Sequence, residues 1–193
     1  IYNRAKKLHI EVTVPRVVLI VETEKERDST AAEFLGGLFS SQSGDFITAI
    51  DESSVILIKS LAPGEGYEVV EQTANMIVDM MNTEAMMNVR VAYGTIVQEL
   101  KDVSKSYKEA SLALDVGKIF YVEKKVNAYS NLGIGRLIYQ LPVNLCKIFI
   151  DEIFGDADPA EFDEEILTTV NKFFENNLNV SETSRQLFVH RNT

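Results

Sequence analysis

The stretch Arg16-Val17-Val18-Leu19-Ile20-Val21-Glu22 places five apolar residues in succession, four of which are β-branched. A short apolar run of this composition is typical of a β-strand. Because the run shows no alternation between apolar and polar residues, we expect both faces of the strand to be covered. The sequence therefore predicts a central strand, with later elements packed on both sides of the sheet that contains it.

The elements that follow this strand alternate in type. Helices are expected to begin near residues 31, 67 and 103, and the first follows the N-cap candidates Asp28-Ser29-Thr30. Further strands are expected at residues 45–50, 54–59, 88–94 and 125–129. The order is then strand, helix, strand, strand, helix, strand, helix, strand. Helices that cover a sheet containing antiparallel strands are typical of the α+β class, and this order of elements is ferredoxin-like.

The pattern beyond residue 133 is entirely helical. Helices are expected at residues 136–140, 143–154, 159–176 and 181–187. The acidic, glycine-bearing stretch Gly155-Asp156-Ala157-Asp158-Pro159 is the best linker candidate. We therefore predict an α+β domain over residues 1–132, connecting helices over 133–158 and a helix-turn-helix region over 159–193.

Charge narrows the function classes. The chain carries 29 acidic and 19 basic residues, a net charge of -10. This charge argues against non-specific electrostatic binding of the whole chain to nucleic acid. However, residues 151–165 hold eight acids and no base, whereas residues 179–193 hold one acid, Glu182, beside Arg185, His190 and Arg191. Any DNA-facing surface should therefore lie at the C-terminal end of the sequence.

Other compositional features favour a cytoplasmic protein. No apolar run approaches the roughly 18 residues of a membrane span, and residues 1–7 lack the apolar segment of a signal peptide, so no membrane partner is expected. The single cysteine, Cys146, has no second thiol to pair with and lies in an apolar run typical of a buried side chain.

The C-terminal segment has the pattern of a helix-turn-helix. A helix with an apolar face ends near residue 176, and a polar turn at 176–179 leads into a helix that we expect Ser181 to cap. A tight turn should follow, with Val189 in the core and polar residues opening another helix. The candidate DNA-contacting residues are Ser181, Arg185, His190, Arg191, Asn192 and Thr193.

Residues 177–193, NLNVSETSRQLFVHRNT, resemble the C-terminal helix-turn-helix of the CdaR/PucR (carbohydrate diacid regulator) family. They depart from the family pattern at Ser184, where alanine is usual; both residues are small, so packing should survive. Because helix-turn-helix proteins usually read two half-sites with two copies, and apolar helices between Leu137 and Phe154 offer surface to bury, we expect a homodimer. The resemblance implies a DNA-binding transcriptional regulator of activator type. It also implies a small-molecule effector bound by a sensor before Ile1. We expect both ends of the sequence to be cut, with Thr193 in the first turn of the recognition helix.

Residues 16–130 resemble, in element order, the degenerate GGDEF-like domain of the same family. The stretch Tyr107-Lys108-Glu109-Ala110-Ser111-Leu112-Ala113-Leu114 resembles its "SYxEAxxAL" helix, and Val91-Ala92-Tyr93-Gly94 the strand before it. The signature hairpin of a diguanylate cyclase aligns with Ala49-Ile50-Asp51-Glu52-Ser53. Ala49 and Ile50 replace the two glycines that let backbone approach nucleotide phosphates, so cyclase activity is not expected.

Three acidic residues keep a second interpretation of this hairpin open. A cluster of Glu22, Asp51 and Glu52 would form a vestigial site for a divalent metal or a nucleotide; the alternative is a solvated hairpin. Neither histidine has a partner at ligand spacing, and no catalytic set is evident, so we assign no catalytic residue, metal or cofactor. The competing hypotheses are a nucleotide- or metabolite-binding sensor module and a diverged cyclase-like enzyme.

Overall fold

The computed structural model describes residues 2–23, 30–39, 44–51, 53–155 and 163–192. Its strands are β1 (Arg16–Thr23), β2 (Phe46–Ala49), β3 (Ser54–Ser60), β4 (Val89–Tyr93) and β5 (Val126–Ala128). Its α-helices are α1 (Tyr2–Lys7), α2 (Thr30–Leu38), α3 (Tyr67–Thr83), α4 (Val103–Phe120), α5 (Gly135–Tyr139), α6 (Val143–Phe154), α7 (Glu164–Glu175) and α8 (Val180–Gln186). The strands and helices predicted between residues 16 and 187 are present, with bounds shifted by a few residues, whereas α1 was not predicted. The predicted start of a further helix is wrong for residues 190–192, which are not helical.

The strands form one five-stranded sheet in the order β2-β3-β1-β4-β5. β1 lies at its centre, antiparallel to β3 on one side and to β4 on the other. β2 and β3 form the expected hairpin, and β5 is parallel to β4 at the far edge. The βαββαβ order with antiparallel neighbours confirms the α+β prediction, to which α4 and β5 add a parallel βαβ unit.

β1 is buried on both faces, as its unbroken apolar run predicts. Val17, Leu19 and Val21 face a core that includes residues of α2 and α3. Val18 and Ile20 face the opposite core, to which α4 contributes. Because a strand's side chains alternate between faces, a strand covered by helices on both sides needs apolar residues at every position.

α4 approaches the sheet closely at the end of β4. The backbone N–H of Val18 donates to Ser106 Oγ on α4 at 3.0 Å, and the N–H of Gly94 donates to the Val18 carbonyl at 3.1 Å. A Cβ atom added to Gly94 would overlap the backbone of Ser106. Glycine at this position therefore sets how near the helix can lie to the sheet.

One buried carboxylate closes the turn after β4. Glu109 on α4 is 9% exposed, and its Oε2 accepts hydrogen bonds from both the backbone N–H and the hydroxyl of Thr95. The Glu109 carboxylate also lies 3.9 Å from the ammonium of Lys105. The glutamate of the "SYxEA" stretch thus has a structural role that the sequence analysis did not predict. Its position beside the apolar Ala110 and Ala113 could have indicated a buried, hydrogen-bonded carboxylate.

The described part of the chain beyond residue 133 carries the predicted helices. The chain divides into two compact units, Ile1–Arg136 and Leu137–Thr193. α6 ends at Phe154 and is capped by Gly155, whose φ is 57°. The rest of the predicted linker and residues 159–162 of the predicted third helix lie outside the described residues. No described helix is long and apolar enough to cross a membrane. The three-part division of the chain stays a prediction.

We predict that Gly94→Ala lowers the free energy of unfolding by about 1–3 kcal/mol, because α4 must move away from the sheet to admit the methyl group. Urea denaturation followed by circular dichroism measures the change. Gly37→Ala in α2 is the matched control, since no atom lies within 4 Å of the added Cβ. Equal stability of the Gly94→Ala variant and the unaltered protein would contradict the close packing of α4.

Candidate nucleic-acid interface

α7 and α8 form a pair joined by a tight polar turn. α7 begins after Asp163, whose side chain accepts from the Glu165 N–H at 3.0 Å. It ends in a turn where Asn177 and Leu178 have φ values of 53° and 63°, and the Leu178 N–H donates to the Phe173 carbonyl at 2.8 Å. This bond is the C-cap pattern that lets a helix end abruptly.

α8 is capped by Asn179, not by Ser181 as predicted. Asn179 has an extended backbone, and its Oδ1 accepts from the Glu182 N–H at 3.1 Å. Ser181 lies inside the first turn, where its carbonyl accepts from the Ser184 hydroxyl at 3.0 Å. Asparagine is at least as good an N-cap as serine, and the turn after α7 delivers it first.

Polar contacts fix α8 against α7. The side-chain amides of Asn176 and Gln186 bond to each other in both directions, at 3.2 and 3.0 Å. Thr183, 4% exposed, donates to the Asn179 carbonyl at 2.8 Å and lies 3.4 Å from the Asn176 amide nitrogen. The sequence analysis did not predict the pairing of the Asn176 and Gln186 amides, which lie ten residues apart at the ends of α7 and α8.

Arg185, a predicted DNA contact, is held by the one acid in its neighbourhood. Its Nη2 and Nε donate to the two carboxylate oxygens of Glu182 at 2.6 and 3.0 Å. The hydrogen bonds from Arg185, with one from Gln186, lower the pKa of the exposed Glu182 to about 2. The same pair raises the pKa of Arg185. The guanidinium remains exposed, but its charge is neutralised within the helix.

The segment after α8 turns sharply. Phe188 has a φ of 56°, and the Val189 N–H donates to the Ser184 carbonyl at 3.0 Å, which closes the helix end. Val189 is 39% exposed rather than buried as predicted. It lies on the rim of an open, largely apolar groove of about 290 Å³, lined also by Phe173, Val180 and Leu187. Nothing in the described residues fills this groove, so Val189 stays partly exposed.

The predicted contacts Ser181, His190, Arg191 and Asn192 are exposed. His190 Nδ1 accepts from the Asn192 N–H at 3.3 Å, and residues 190–192 are not helical in the described structure. Thr193 lies outside the described residues. Of the three Lys and Arg side chains in residues 163–192, Lys172 and Arg185 are ion-paired. Within the described structure, no carboxylate comes within ion-pairing distance of Arg191, so its charge is open to an outside partner.

Two of the three vestigial-site residues, Glu22 and Asp51, have hydrogen-bond partners in the structure. Glu22 Oε1 accepts from the Lys118 ammonium at 2.7 Å. Asp51 Oδ1 accepts from the backbone N–H and the hydroxyl of Ser53 at 2.8 and 3.0 Å, and these bonds lower the Asp51 pKa. Glu52 lies outside the described residues. No cluster of three potential metal ligands occurs in the described part of the chain.

The hairpin backbone also differs from what a nucleotide site needs. Neither Ala49 nor Ile50 has a positive φ, and the Ile50 N–H donates to the Ser54 carbonyl at 2.8 Å. The Ile50 side chain is 45% exposed on the turn. A β-branched side chain therefore occupies the position where a phosphate would have to approach backbone.

The chain thus has two parts, an α+β domain followed in the sequence by a helix-turn-helix pair. Residues 1–116 match the GGDEF-like domain, and residues 166–193 match the PucR C-terminal helix-turn-helix domain. The chain belongs to the GGDEF-like domain family, within the group of CdaR/PucR-type regulators.

Two curated proteins show the same relationship. The chain is 32% identical over 106 residues to the Purine catabolism regulatory protein of Bacillus subtilis, covering 53% of this chain and 20% of that protein. It is 23% identical over 210 residues to the Carbohydrate diacid regulator of Escherichia coli, covering 98% of this chain and 51% of that protein. The chain thus spans about half of the second relative and a fifth of the first.

We predict that the Glu182 carboxyl titrates at a pH of about 2 and that Arg185→Gln moves the midpoint upward, toward the ordinary 4.5. Since the folded-state pKa is lowered, the pair stabilises α8 above about pH 4.5, and this contribution is lost as the pH falls toward 2. NMR of the side-chain carboxyl carbon measures the midpoint. Ser181→Ala, which leaves the pair intact, is the control. An unchanged midpoint in Arg185→Gln would refute the ion pair.

Proposed function

We propose that the protein containing this chain is a transcriptional regulator that binds DNA through residues 163–193. The observation that carries the proposal is the match of residues 166–193 to the PucR helix-turn-helix on a segment folded as the α7–α8 pair. The names of the two relatives, both regulators, support it. Activator-type control, a cytoplasmic location and a small-molecule effector bound outside this chain belong to the same proposal.

Arg191 is the residue on which DNA contact should depend most. Its charge has no partner in the described structure, and it lies where the second helix of such a motif begins to face the groove. Asn192 and His190 lie beside it, with Ser181 and Thr193 as further candidates. Arg185 should contribute less, because Glu182 already neutralises its charge.

A homodimer is part of the proposal. Helix-turn-helix proteins commonly read two half-sites with two copies. α6 has no buried residue, and its apolar side chains include Phe149 at 62% exposed. An apolar helix face of this kind is suited to pairing with a second copy. Sedimentation velocity of the complete protein is the check, and a monomer at tens of micromolar would count against the dimer.

We predict that, in the complete protein, Arg191→Ala weakens binding to its cognate promoter DNA about tenfold. The slope of log affinity against log salt concentration should fall by about one. Asn192→Ala should weaken specific binding with little change in salt dependence. Glu182→Gln should strengthen binding, because it releases the Arg185 guanidinium. Fluorescence anisotropy at a series of salt concentrations measures all three.

Lys101→Ala is the matched control for this titration, since it removes one exposed positive charge from the other compact unit and should leave affinity unchanged. Circular dichroism confirms that the variants fold. Equal affinities of Arg191→Ala, Asn192→Ala and the unaltered protein would place the DNA contact elsewhere.

We further propose that the GGDEF-like domain is not catalytic. Supporting observations are Ala49 and Ile50 at the glycine positions, and the ion pair of Glu22 with Lys118. The competing candidates are a diverged cyclase and a module that binds a nucleotide through Glu22, Asp51 and Glu52.

We predict no cyclic dinucleotide above background when the protein is incubated with GTP and Mg²⁺, with product analysis by chromatography. Calorimetry with GTP separates the two competing candidates: turnover would establish an enzyme, whereas heat of binding without turnover would establish a nucleotide sensor. A known active cyclase domain is the positive control.

A further inference from the structure

A cleft of about 350 Å³ lies between the sheet and the segment that follows α1, within the unit Ile1–Arg136. Residues of the segment 8–14 form one wall of this cleft, and the sheet contributes Arg16, Phe46 and Ser60 to the other. The volume lies within the ~300–1,000 Å³ range of small-molecule sites. The cleft is therefore large enough for a small organic ligand.

The side chains of the sheet wall share one face of the sheet. Arg16 lies opposite Ser60 in the antiparallel pairing of β1 with β3, and Val18 lies opposite Ile58. Phe46 on β2 also lies opposite Ile58. Because side chains alternate between the faces of a sheet, Arg16, Ser60 and Phe46 lie on the face that carries Val18. This is the face that α4 covers, and the cleft lies beside that core.

Arg16 is buried in the cleft wall without a counter-ion. It is 3% exposed, and its Nη1 and Nη2 donate to the backbone carbonyls of Val14 and Glu11 at 3.1 and 2.6 Å. Its Nε is the one buried side-chain nitrogen or oxygen among the described residues that has no hydrogen-bond partner. Within the same residues, no carboxylate lies at ion-pairing distance from the guanidinium. Since buried charges are normally paired, Arg16 points to an anion from outside the chain.

The Arg16 guanidinium keeps its charge in this setting. Burial lowers the pKa of Arg16, whereas the negative charge of Glu11 acts in the opposite direction. An arginine side chain nevertheless remains protonated at neutral pH. The two backbone carbonyls engage only two of its N–H groups, so the planar guanidinium retains donors for an anion.

The other lining residues define the remainder of the ligand. Ile10 and Val14 are half-buried on the first wall, and Phe46 on the sheet wall is 39% exposed. These apolar side chains favour a hydrocarbon group. Glu11 also lines the cleft, and its exposed carboxylate would repel a second negative charge. The cleft thus suits a ligand that has one negative charge and an apolar body.

We propose that this cleft binds a small monocarboxylate with an apolar body. The carboxylate accepts hydrogen bonds from the Arg16 guanidinium, and the hydrocarbon part contacts Ile10, Val14 and Phe46. Inorganic phosphate has no apolar part to bury, and a dicarboxylate brings a second charge close to Glu11, so both fit less well. The site does not depend on DNA binding, so it stands or falls apart from the proposed function.

The test adds hexanoate or benzoate to the 193-residue chain and follows NMR spectra. We expect at least one of the two acids to shift the Arg16 Nε–H resonance and the backbone amides of Phe46 and Ser60 in a saturable way. The corresponding amide, hexanamide or benzamide, lacks the charge and should bind at least about tenfold more weakly. Acetate, which lacks the apolar body, and adipate, which carries a second carboxylate, should each bind more weakly than hexanoate.

Variants separate the charge from the apolar contacts. Arg16→Gln should abolish binding of both acids, and circular dichroism shows whether this variant retains the fold. Glu11→Gln changes an exposed side chain and should strengthen the binding of adipate more than that of hexanoate. Phe46→Ala should weaken hexanoate and leave acetate unchanged. Glu84→Gln is the matched control for Glu11→Gln, because it removes an exposed carboxylate at the end of α3, on the other face of the sheet.

The proposal is overturned if neither acid binds, if the amides bind as well as the acids, or if a folded Arg16→Gln variant binds them as the unaltered protein does. Should Arg16→Gln fail to fold, the comparison of acid with amide and the two exposed variants decide. Unchanged binding of hexanoate and adipate in both Glu11→Gln and Phe46→Ala would then place the ligand elsewhere and overturn the proposal.

Discussion

The central strand β1 is the constraint on which the first compact unit depends. Its residues 17–21 are buried, its two edges are hydrogen-bonded to β3 and β4, and its two faces belong to separate cores. Such a strand is stable only when helices cover both faces. The need to cover it places α3 and α4 on opposite sides, and α4 then leads to β5, the parallel edge strand.

The second unit is stabilised differently. Between residues 137 and 192, among those described, Thr183 is the buried residue, and hydrogen bonds of Asn176, Asn179 and Gln186 set the position of α8. A motif held by so few contacts leaves apolar side chains on α6 and beside Val189 open. These exposed apolar surfaces are suited to contact with a second copy or with DNA, in agreement with the proposed function.

Much of this architecture was predictable because it rests on local patterns. β1 follows from its apolar run, α6 from its apolar periodicity, and the helix-turn-helix from the residues between Asn177 and Thr193. The N-cap of α8 was misassigned because Asn179 and Ser181 are both good caps, and only the turn geometry chooses between them. The i, i+3 spacing of Glu182 and Arg185 permits an ion pair. The sequence analysis nevertheless treated Arg185 as a free DNA contact, because it counted charges and not pairs. The parallel pairing of β5 with β4 could not be predicted, because no local pattern in the sequence specifies which strand a closing strand joins.

A transcriptional regulator of the proposed kind recognises particular DNA sequences. The most direct measurement is to mix the complete protein with random fragments of its own genome at physiological salt, and to sequence the fragments that it retains. The account predicts strong enrichment of a few discrete fragments that share a repeated half-site. Uniform recovery across the genome, or none above a protein-free control, would contradict it.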